Sequence, residues 1–474
     1  MAMQQGKQLI KNTALYAVAN FGSKILSFLI VPLYTHYVET GEMGTYDLII
    51  STITLLVPFI TFQMSDGIYR WLLDPTQDKE CVIHMGLRIC LRNFVVLTVL
   101  YALLSCFVEI PYQWMTFALL IGYSIVPVLQ QIARGLGKNG LYAVSGVLIT
   151  ALFLAGNMVF VVMLGWGCEG MLLSQMLAYG ITLLVLLLAA PQIVRSIKAP
   201  SDSALTLDMM RYSLPLIPNV VSWWTINTSN RYIILWFLGT AANGVYSIST
   251  KFPSVLQTCS TIFYLAWQEM AIKDADASGT DDFGNNVFQL YIRFLFLTAG
   301  VAIPLTRIYV ELFVDAAYLD AWKYCAFLYL GMVFSALSSF LGAGYQAAKR
   351  TRGALSTTIW AALVSIGVSA SLTGLIGLQA VSLSVFVAYV FLFLIRWKEC
   401  SRIMRLTIRW RSLAGYTVYG LAVSAITQFA GQYVNYALLA GTFILFVVLQ
   451  WDLVRKGVTM IRSGLHDRRR RVHS

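Results

Sequence analysis

Long apolar runs separated by short polar breaks dominate the hydropathy pattern of this chain of 474 residues. A helix that crosses a membrane needs about 20 mostly apolar residues, and fourteen runs are long enough. The last two are the weakest, so twelve spans is the alternative count. The predicted spans are approximately Ile10–Tyr34, Gly44–Met64, Gly86–Val108, Trp114–Ala133, Ala143–Leu164, Gly170–Ala190, Tyr212–Leu238, Gly244–Gln268, Val287–Val310, Trp322–Tyr345, Ala354–Ile376, Ala380–Ile395, Ser412–Ala430 and Val434–Trp451.

The positions of the basic residues test this assignment, because cytoplasmic segments of membrane proteins are enriched in Lys and Arg. With the N-terminus inside, all but five of the 34 Lys and Arg residues fall in inner segments or in the C-terminal tail. The short outer loops carry acidic residues instead, such as Glu39, Glu109 and Asp320. The pattern therefore predicts a multi-pass membrane protein with both termini in the cytoplasm.

Two short motifs recur at offsets of about 200 residues, as expected for transporters built from internal repeats. Gly44-Thr45-Tyr46 returns as Gly244-Val245-Tyr246, and Ser174-x-x-x-Ala178-Tyr179 returns as Ser384-x-x-x-Ala388-Tyr389. The repeats fall on corresponding helices of two sets, one to six and seven to twelve. The second set begins after an even number of helices, so both sets have the same orientation in the membrane. The predicted fold is an all-α polytopic membrane protein with about 14 transmembrane helices, in two pseudo-symmetric six-helix lobes plus two C-terminal helices. The predicted boundaries are 1–200 and 201–400 for the lobes, and 401–474 for the appended helices and basic tail.

Four of the predicted helices carry polar side chains along one face, at the i, i+4, i+7 spacing of a helical stripe. Lipid does not solvate such groups, so these faces should meet protein or water. We interpret the stripes as the lining of a hydrated cleft between the lobes; hydrogen bonding between helices is the alternative. The stripes are Tyr16, Asn20, Lys24 and Ser27 on helix one; Asp47, Ser51, Thr54, Pro58 and Thr61 on helix two; Asn219, Trp223, Asn227 and Asn230, with Arg231 at the edge, on helix seven; and Ser247, Lys251, Ser254, Thr258 and Thr261 on helix eight.

Of the five basic residues away from the inner face, four lie inside predicted spans: Lys24, Arg231, Lys251 and Arg307. Each buried charge costs at least about 2.5–3.5 kcal/mol, and Asp47 is the one carboxylate expected at a similar depth. We therefore expect the counter-charge to come from an anionic cargo such as a pyrophosphate, which Arg binds well. Snorkelling toward the membrane surface is the alternative for Arg231, Lys251 and Arg307, and Lys24 has Asp47 as an alternative partner.

Composition excludes several other classes. Only 12% of the residues are charged, about half the fraction of a soluble protein. The net charge of +12 sits in short tracts and in the tail Arg468–Arg471, which favours anionic lipid headgroups over nucleic acid. Seven scattered cysteines and four isolated histidines predict neither disulfides nor a metal site.

Several segments resemble the polysaccharide-exporter flippases of the multidrug/oligosaccharidyl-lipid/polysaccharide (MOP) superfamily, which transport O-antigen and capsule repeat units. The resemblance extends over about residues 8–450 as a loose set of short motifs. Asn230 and Val314 depart from it, since the family often has Asp and Gly there. The segments that carry the resemblance are NTALYAVANFGSKILSFLIVPLYTHYVETGEMGTYDLIIS (12–51), SNRYIILWFLGTAANGVYSIS (229–249), ELFVDAAYLDAW (311–322), GYQAAKRTRGALSTT (344–358) and GLIGLQAVSLSVFVAYV (374–390).

This resemblance implies a flippase and not an enzyme. The cargo would be an undecaprenyl-pyrophosphate-linked oligosaccharide, moved by alternating access for O-antigen, capsule or exopolysaccharide synthesis, with a glycan polymerase and a chain-length regulator as possible partners. The expected binding residues are Lys24, Arg231, Lys251, Arg307, Asn20, Asn227 and Trp223. No cofactor is expected, although H⁺ or Na⁺ coupling through Asp47 is possible. The alternatives are a flippase for the lipid precursor of peptidoglycan and a membrane glycan polymerase or ligase; the latter would need acid/base groups at the outer face.

Overall fold

The computed structural model describes residues 30–196, 199–200, 202–273, 281–347, 351–404 and 406–451. These residues form helices joined by short turns. Most of the first predicted helix, with Asn20 and Lys24, lies outside the described residues. In chain order the helices are α1 Val31–Tyr37, α2 Thr40–Thr61, α3 Met64–Leu72, α4 Lys79–Ser105, α5 Gln113–Gly135, α6 Asn139–Asn157, continued as a π-helix over Met158–Met163, α7 Gly167–Ala189, α8 Pro191–Arg195, α9 Ser203–Ser213, α10 Ile217–Thr228, α11 Asn230–Lys273, α12 Asp281–Phe313, α13 Ala321–Ala347, α14 Thr351–Ile376, α15 Leu378–Ile403, α16 Trp410–Phe429 and α17 Gln432–Trp451.

The helical segments confirm the prediction of an all-α polytopic membrane protein. Among the described residues, 11 segments are long and apolar enough to cross a membrane. One of them, Ser203–Thr261, holds two of the predicted spans. Helix α17 is among the 11, whereas α16 is a helix of 20 residues that is not, which agrees with its weak apolar character in the sequence.

The long segment before and after Gly239 changes direction at that residue. Asn230 contacts Ser384 and Asn227 contacts Tyr389, so the chain before Gly239 runs antiparallel to α15. After the turn, α11 runs parallel to α13. Gly239 has φ 84°, a conformation that residues with a side chain rarely adopt. A glycine thus makes the turn between predicted helices seven and eight.

Two sets of helices pack separately and meet through α2 and α11. We call residues 30–196 the first half and residues 217–403 the second half. In the first half α5 and α6 pack on α7, in the second half α13 and α14 pack on α15, and α2 against α11 is the main packing between the halves. Helix α9 connects them and packs on α3. The predicted boundaries at 200 and 400 stay predictions.

Arg307 fixes the appended helix α16 to the second half. Its Nε donates to Glu311 Oε1 at 2.8 Å, and its Nη1 donates to the carbonyl oxygens of Thr427 and Ala430 at 2.6 and 2.7 Å. The guanidinium also lies 4.5 Å from the centre of the Trp322 ring. A cation here satisfies carbonyl groups at the C-terminal end of a helix, where they lack partners within the helix.

We predict that Arg307→Gln lowers the free energy of unfolding by about 3–5 kcal/mol, the usual cost of removing one partner from a buried ion pair. Thermal unfolding of the purified protein would measure it. Lys323→Gln is the matched control, because Lys323 pairs with Asp320 at the surface and exposed pairs contribute little. Equal melting temperatures for the two variants would contradict this role of Arg307.

Candidate functional site at the contact between the halves

Helices α2 and α11 approach so closely that their glycines face each other's backbones. A methyl group at Gly44 would overlap the Thr240 carbonyl, and one at Gly244 would overlap the Thr40 carbonyl. The two contacts are related by the same offset of 200 residues as the repeated motif. Small residues four positions apart allow such close approach of membrane helices. The repeat Gly44/Gly244 is therefore a symmetric contact between the two helices, on the side of the membrane that the sequence predicts to be the outer one.

One helical turn from this contact, a buried ion pair joins the two halves. Arg231 Nε donates to Asp47 Oδ2 at 3.0 Å, with 10% and 17% of the two side chains exposed. The same guanidinium donates from Nη1 to the carbonyl oxygen of Asn227 at 2.5 Å and lies 5.6 Å from the centre of the Tyr246 ring. The pair thus sits where the halves must separate if the outer side opens.

Asparagine side chains surround this ion pair. The fully buried Asn243 donates from Nδ2 to the Gly44 carbonyl at 2.9 Å and approaches Asp47 Oδ2 at 3.5 Å. The equally buried Asn230 donates from Nδ2 to Ser384 Oγ at 3.4 Å. The Oδ1 atoms of Asn230 and Asn243 are buried without hydrogen-bond partners among the described residues. Unpaired buried acceptors are costly, so each of these two oxygens would be stabilised by a hydrogen-bond donor.

The polar stripe of helix two does face the second half. Trp224 Nε1 donates to the Ser51 carbonyl at 3.1 Å and to Thr54 Oγ1 at 3.2 Å. Asp47 belongs to the same stripe and pairs with Arg231. Asp47, Ser51 and Thr54 of this stripe thus contact protein of the second half in this conformation, and the hydrated cleft stays a prediction.

From the ion pair, a hydrogen-bonded path leads into the second half. Asn227 supplies its carbonyl to Arg231, and its Oδ1 accepts from the Tyr389 hydroxyl at 2.7 Å. The Tyr389 ring lies 6.2 Å from the ring of Trp223. Asn227 and Trp223 are one turn apart on α10, on the stripe predicted for helix seven.

Trp223 lines a cavity of about 210 Å³ in the second half. The cavity lies between α10, α11 and α13. Its lining combines two aromatic rings with hydroxyl, amide and small apolar groups: Trp223, Gln257, Ser260, Thr261, Tyr264, Met332, Ser335, Ala336 and Ser339. Thr261 belongs to the stripe predicted for helix eight, so stripes from two helices meet at this cavity.

A further arginine, Arg396, lies against the ring of Trp223, outside the lining of the cavity. It is only 4% exposed, and its guanidinium is 5.6 Å from the centre of the Trp223 ring. Its hydrogen bonds go to uncharged groups, including the Ser338 carbonyl at 2.9 Å and Thr358 Oγ1 at 3.0 Å. The sequence places Arg396 in an inner segment just after a span that ends at Ile395. In the structure α15 continues to Ile403, so Arg396 lies about two turns before the end of the helix.

The structure changes the view of the predicted cations without testing their role in binding. Arg231 and Arg307 both bond to carboxylates, so the expectation that they lack acidic partners is wrong. It failed because Asp47 and Glu311 lie at the same depth as these arginines once the helices are packed. Lys251 is half-buried on α11 and has a partner of its own. Contact of Arg231, Lys251, Arg307, Asn227 and Trp223 with cargo stays a prediction.

Comparison with known proteins defines the class. The model of the family described as "Polysaccharide biosynthesis protein" matches residues 9–267. No curated protein sequence matches the chain. The chain belongs to the polysaccharide biosynthesis protein family, and its fold is similar to that of MOP superfamily transporters.

Solved structures share this fold at low sequence identity. The lipid II flippase MurJ in an inward closed conformation has a TM-score of 0.66 at 14% identity, over 93% of this chain and 100% of that one. An inward-facing multidrug resistance MATE transporter of the MOP superfamily has a TM-score of 0.62 at 15% identity, over 82% of this chain and 99% of that one. A MOP superfamily transporter from Pyrococcus furiosus has a TM-score of 0.52 at 16% identity, over 83% of this chain and 96% of that one.

Proposed function

We propose that the protein is a flippase that carries undecaprenyl-pyrophosphate-linked oligosaccharide repeat units across the bacterial cytoplasmic membrane, for O-antigen, capsule or exopolysaccharide synthesis. Membership of the polysaccharide biosynthesis family supports the glycan cargo. The observation that carries the proposal is the ion pair Arg231–Asp47 at the contact between the halves. An anionic headgroup that enters there offers Arg231 a second partner.

The ion pair suggests how cargo couples to movement. In the described conformation Asp47 neutralises Arg231, and α2 meets α11 at the two glycines. A pyrophosphate bound to Arg231 would replace Asp47 as its counter-charge, because guanidinium forks bind phosphate oxygens well. The halves are then free to part at the outer side. Asp47, released from the pair, becomes available to a proton or a sodium ion, which is the coupling we propose.

The similarity of the fold to MurJ favours a second candidate function, that of a flippase for the lipid precursor of peptidoglycan. Both cargoes present a pyrophosphate next to a sugar, so the ion pair does not distinguish them. The expected difference lies in recognition of the glycan beyond the pyrophosphate.

Transport in proteoliposomes tests the function. Purified protein is reconstituted with lipid-linked oligosaccharide from its native cells or with lipid II, and a membrane-impermeant sugar oxidant reports the fraction that changes leaflet. We expect protein-dependent transport of the oligosaccharide lipid and much slower transport of lipid II. Faster transport of lipid II would establish the second candidate, and no protein-dependent transport of either lipid would refute both.

A further inference from the structure

The cavity beside Trp223 has the chemistry of a carbohydrate site. Two aromatic rings, Trp223 and Tyr264, supply flat apolar faces for the C–H side of a sugar ring. Hydroxyl groups of Ser335 and Ser339 and the amide of Gln257 also line it, and they match the ring hydroxyls. A few polar groups on an apolar wall are the usual composition of a small-molecule pocket.

The cavity does not suit the pyrophosphate itself. All of its lining side chains are uncharged, and the nearby cation Arg396 is not among them and bonds to Ser338 and Thr358. An alkyl chain would remove the exposed amide of Gln257 from water without offering it a hydrogen-bond partner, which is costly. A neutral polyol can place its C–H groups on the aromatic rings and form hydrogen bonds with the polar groups of the lining.

The size and position of the cavity fit one part of a glycan. Its volume of about 210 Å³ is below the range of about 300–1,000 Å³ typical for drug-sized ligands, so it suits a single ring. Trp223 and Arg231 are eight residues apart, or about 12 Å along a helix. The side chains of Asn227 and Tyr389 connect the two places. A headgroup held at Arg231 can therefore extend its glycan toward Trp223.

We propose that this cavity binds one uncharged sugar ring of the lipid-linked glycan, stacked on Trp223, with Arg396 beside the indole as a positioning residue. The guanidinium of Arg396 holds the indole ring of Trp223 in place through a cation–π contact. This inference rests on the proposed function and adds a glycan subsite that is separate from the pyrophosphate contact at Arg231.

Binding of two lipids to the full chain in nanodiscs tests the subsite. The probes are undecaprenyl pyrophosphate and the lipid-linked oligosaccharides extracted from native membranes, and native mass spectrometry gives their relative affinities. We expect the wild type to prefer the glycan lipid, and Trp223→Ala to reduce that preference by roughly tenfold while binding undecaprenyl pyrophosphate as before. Ser339→Phe, which fills the cavity, should act in the same way if Trp223→Ala does not fold.

Trp360→Ala is the matched control, since Trp360 is 57% exposed on α14. It should keep the wild-type preference. Equal binding of both lipids by the wild type, or an unchanged preference in Trp223→Ala and Ser339→Phe, would overturn the subsite and leave the proposed function standing. Binding of neither lipid by the wild type would overturn the proposed function, and the subsite with it.

Discussion

The double variant Asp47→Asn/Arg231→Gln should fold as stably as the wild type and transport no lipid-linked oligosaccharide. Replacing a buried ion pair by neutral groups of similar shape is often close to neutral for stability, whereas removing one partner costs about 3–5 kcal/mol. Arg231→Gln alone should therefore lower the melting temperature, because it leaves the Asp47 carboxylate buried without its cation. Adding Asp47→Asn should restore it.

Measuring transport by the double variant distinguishes a structural role of the Asp47–Arg231 pair from a role in binding cargo. If Arg231 only holds the halves together, restoring stability restores transport. If Arg231 receives the pyrophosphate, the stable double variant stays inactive. Arg211→Gln is the control, because Arg211 pairs with Asp208 at an exposed site. Wild-type transport by the double variant would exclude Arg231 as the headgroup contact.

Gly44→Ala and Gly244→Ala should each slow transport by roughly tenfold or more. A methyl group at either position overlaps a backbone carbonyl of the facing helix, and the backbone cannot rotate away as a flexible side chain can. Overpacking of this kind costs about 1–3 kcal/mol, and that cost falls on the closed outer contact alone. The transport cycle then spends less time in the conformation in which α2 and α11 are in contact.

Gly41→Ala is a matched control on the same helix, since the nearest group to its new methyl would be Thr240 Oγ1 at 3.8 Å. It should transport at the wild-type rate. The double variant Gly44→Ala/Gly244→Ala should be slower than the wild type by less than the product of the single effects, because both changes act on one contact. Wild-type transport by Gly44→Ala would show that the close contact is not part of the cycle.

Hydropathy predicted the helices well because a helix that crosses a membrane needs a long apolar run. Such a run can be recognised from the residues of that segment alone. The segments Gln113–Gly135 and Leu378–Ile403 fall on predicted spans. The predicted apolar span ended at Ile395, the residue before Arg396, whereas the helix extends to Ile403. The helix continues because Arg396 finds oxygen acceptors on α13 and α14, and that packing cannot be deduced from one segment.

The candidate site was predicted only in part. Stripe spacing indicated which faces of helices two and seven are polar, since that depends on helical geometry alone. The pairing of Asp47 with Arg231 was not predicted, because 184 residues separate them. The repeated Gly44 and Gly244 signalled equivalent helices, but their mutual contact follows from the crossing of α2 and α11. The interruption of helix seven between Thr228 and Asn230 has no proline or glycine to mark it.

The distance between the halves at the outer side, measured during transport, tests the central claim most directly. Spin labels at Tyr37 and Leu319, both exposed, lie next to the hydrogen bond from the Tyr318 hydroxyl to the Val38 carbonyl that joins the halves. Pulsed electron paramagnetic resonance on the cysteine-free background should give one short distance without cargo. A second, longer distance should appear when lipid-linked oligosaccharide is added. A single unchanged distance in proteoliposomes that transport this lipid would contradict the account.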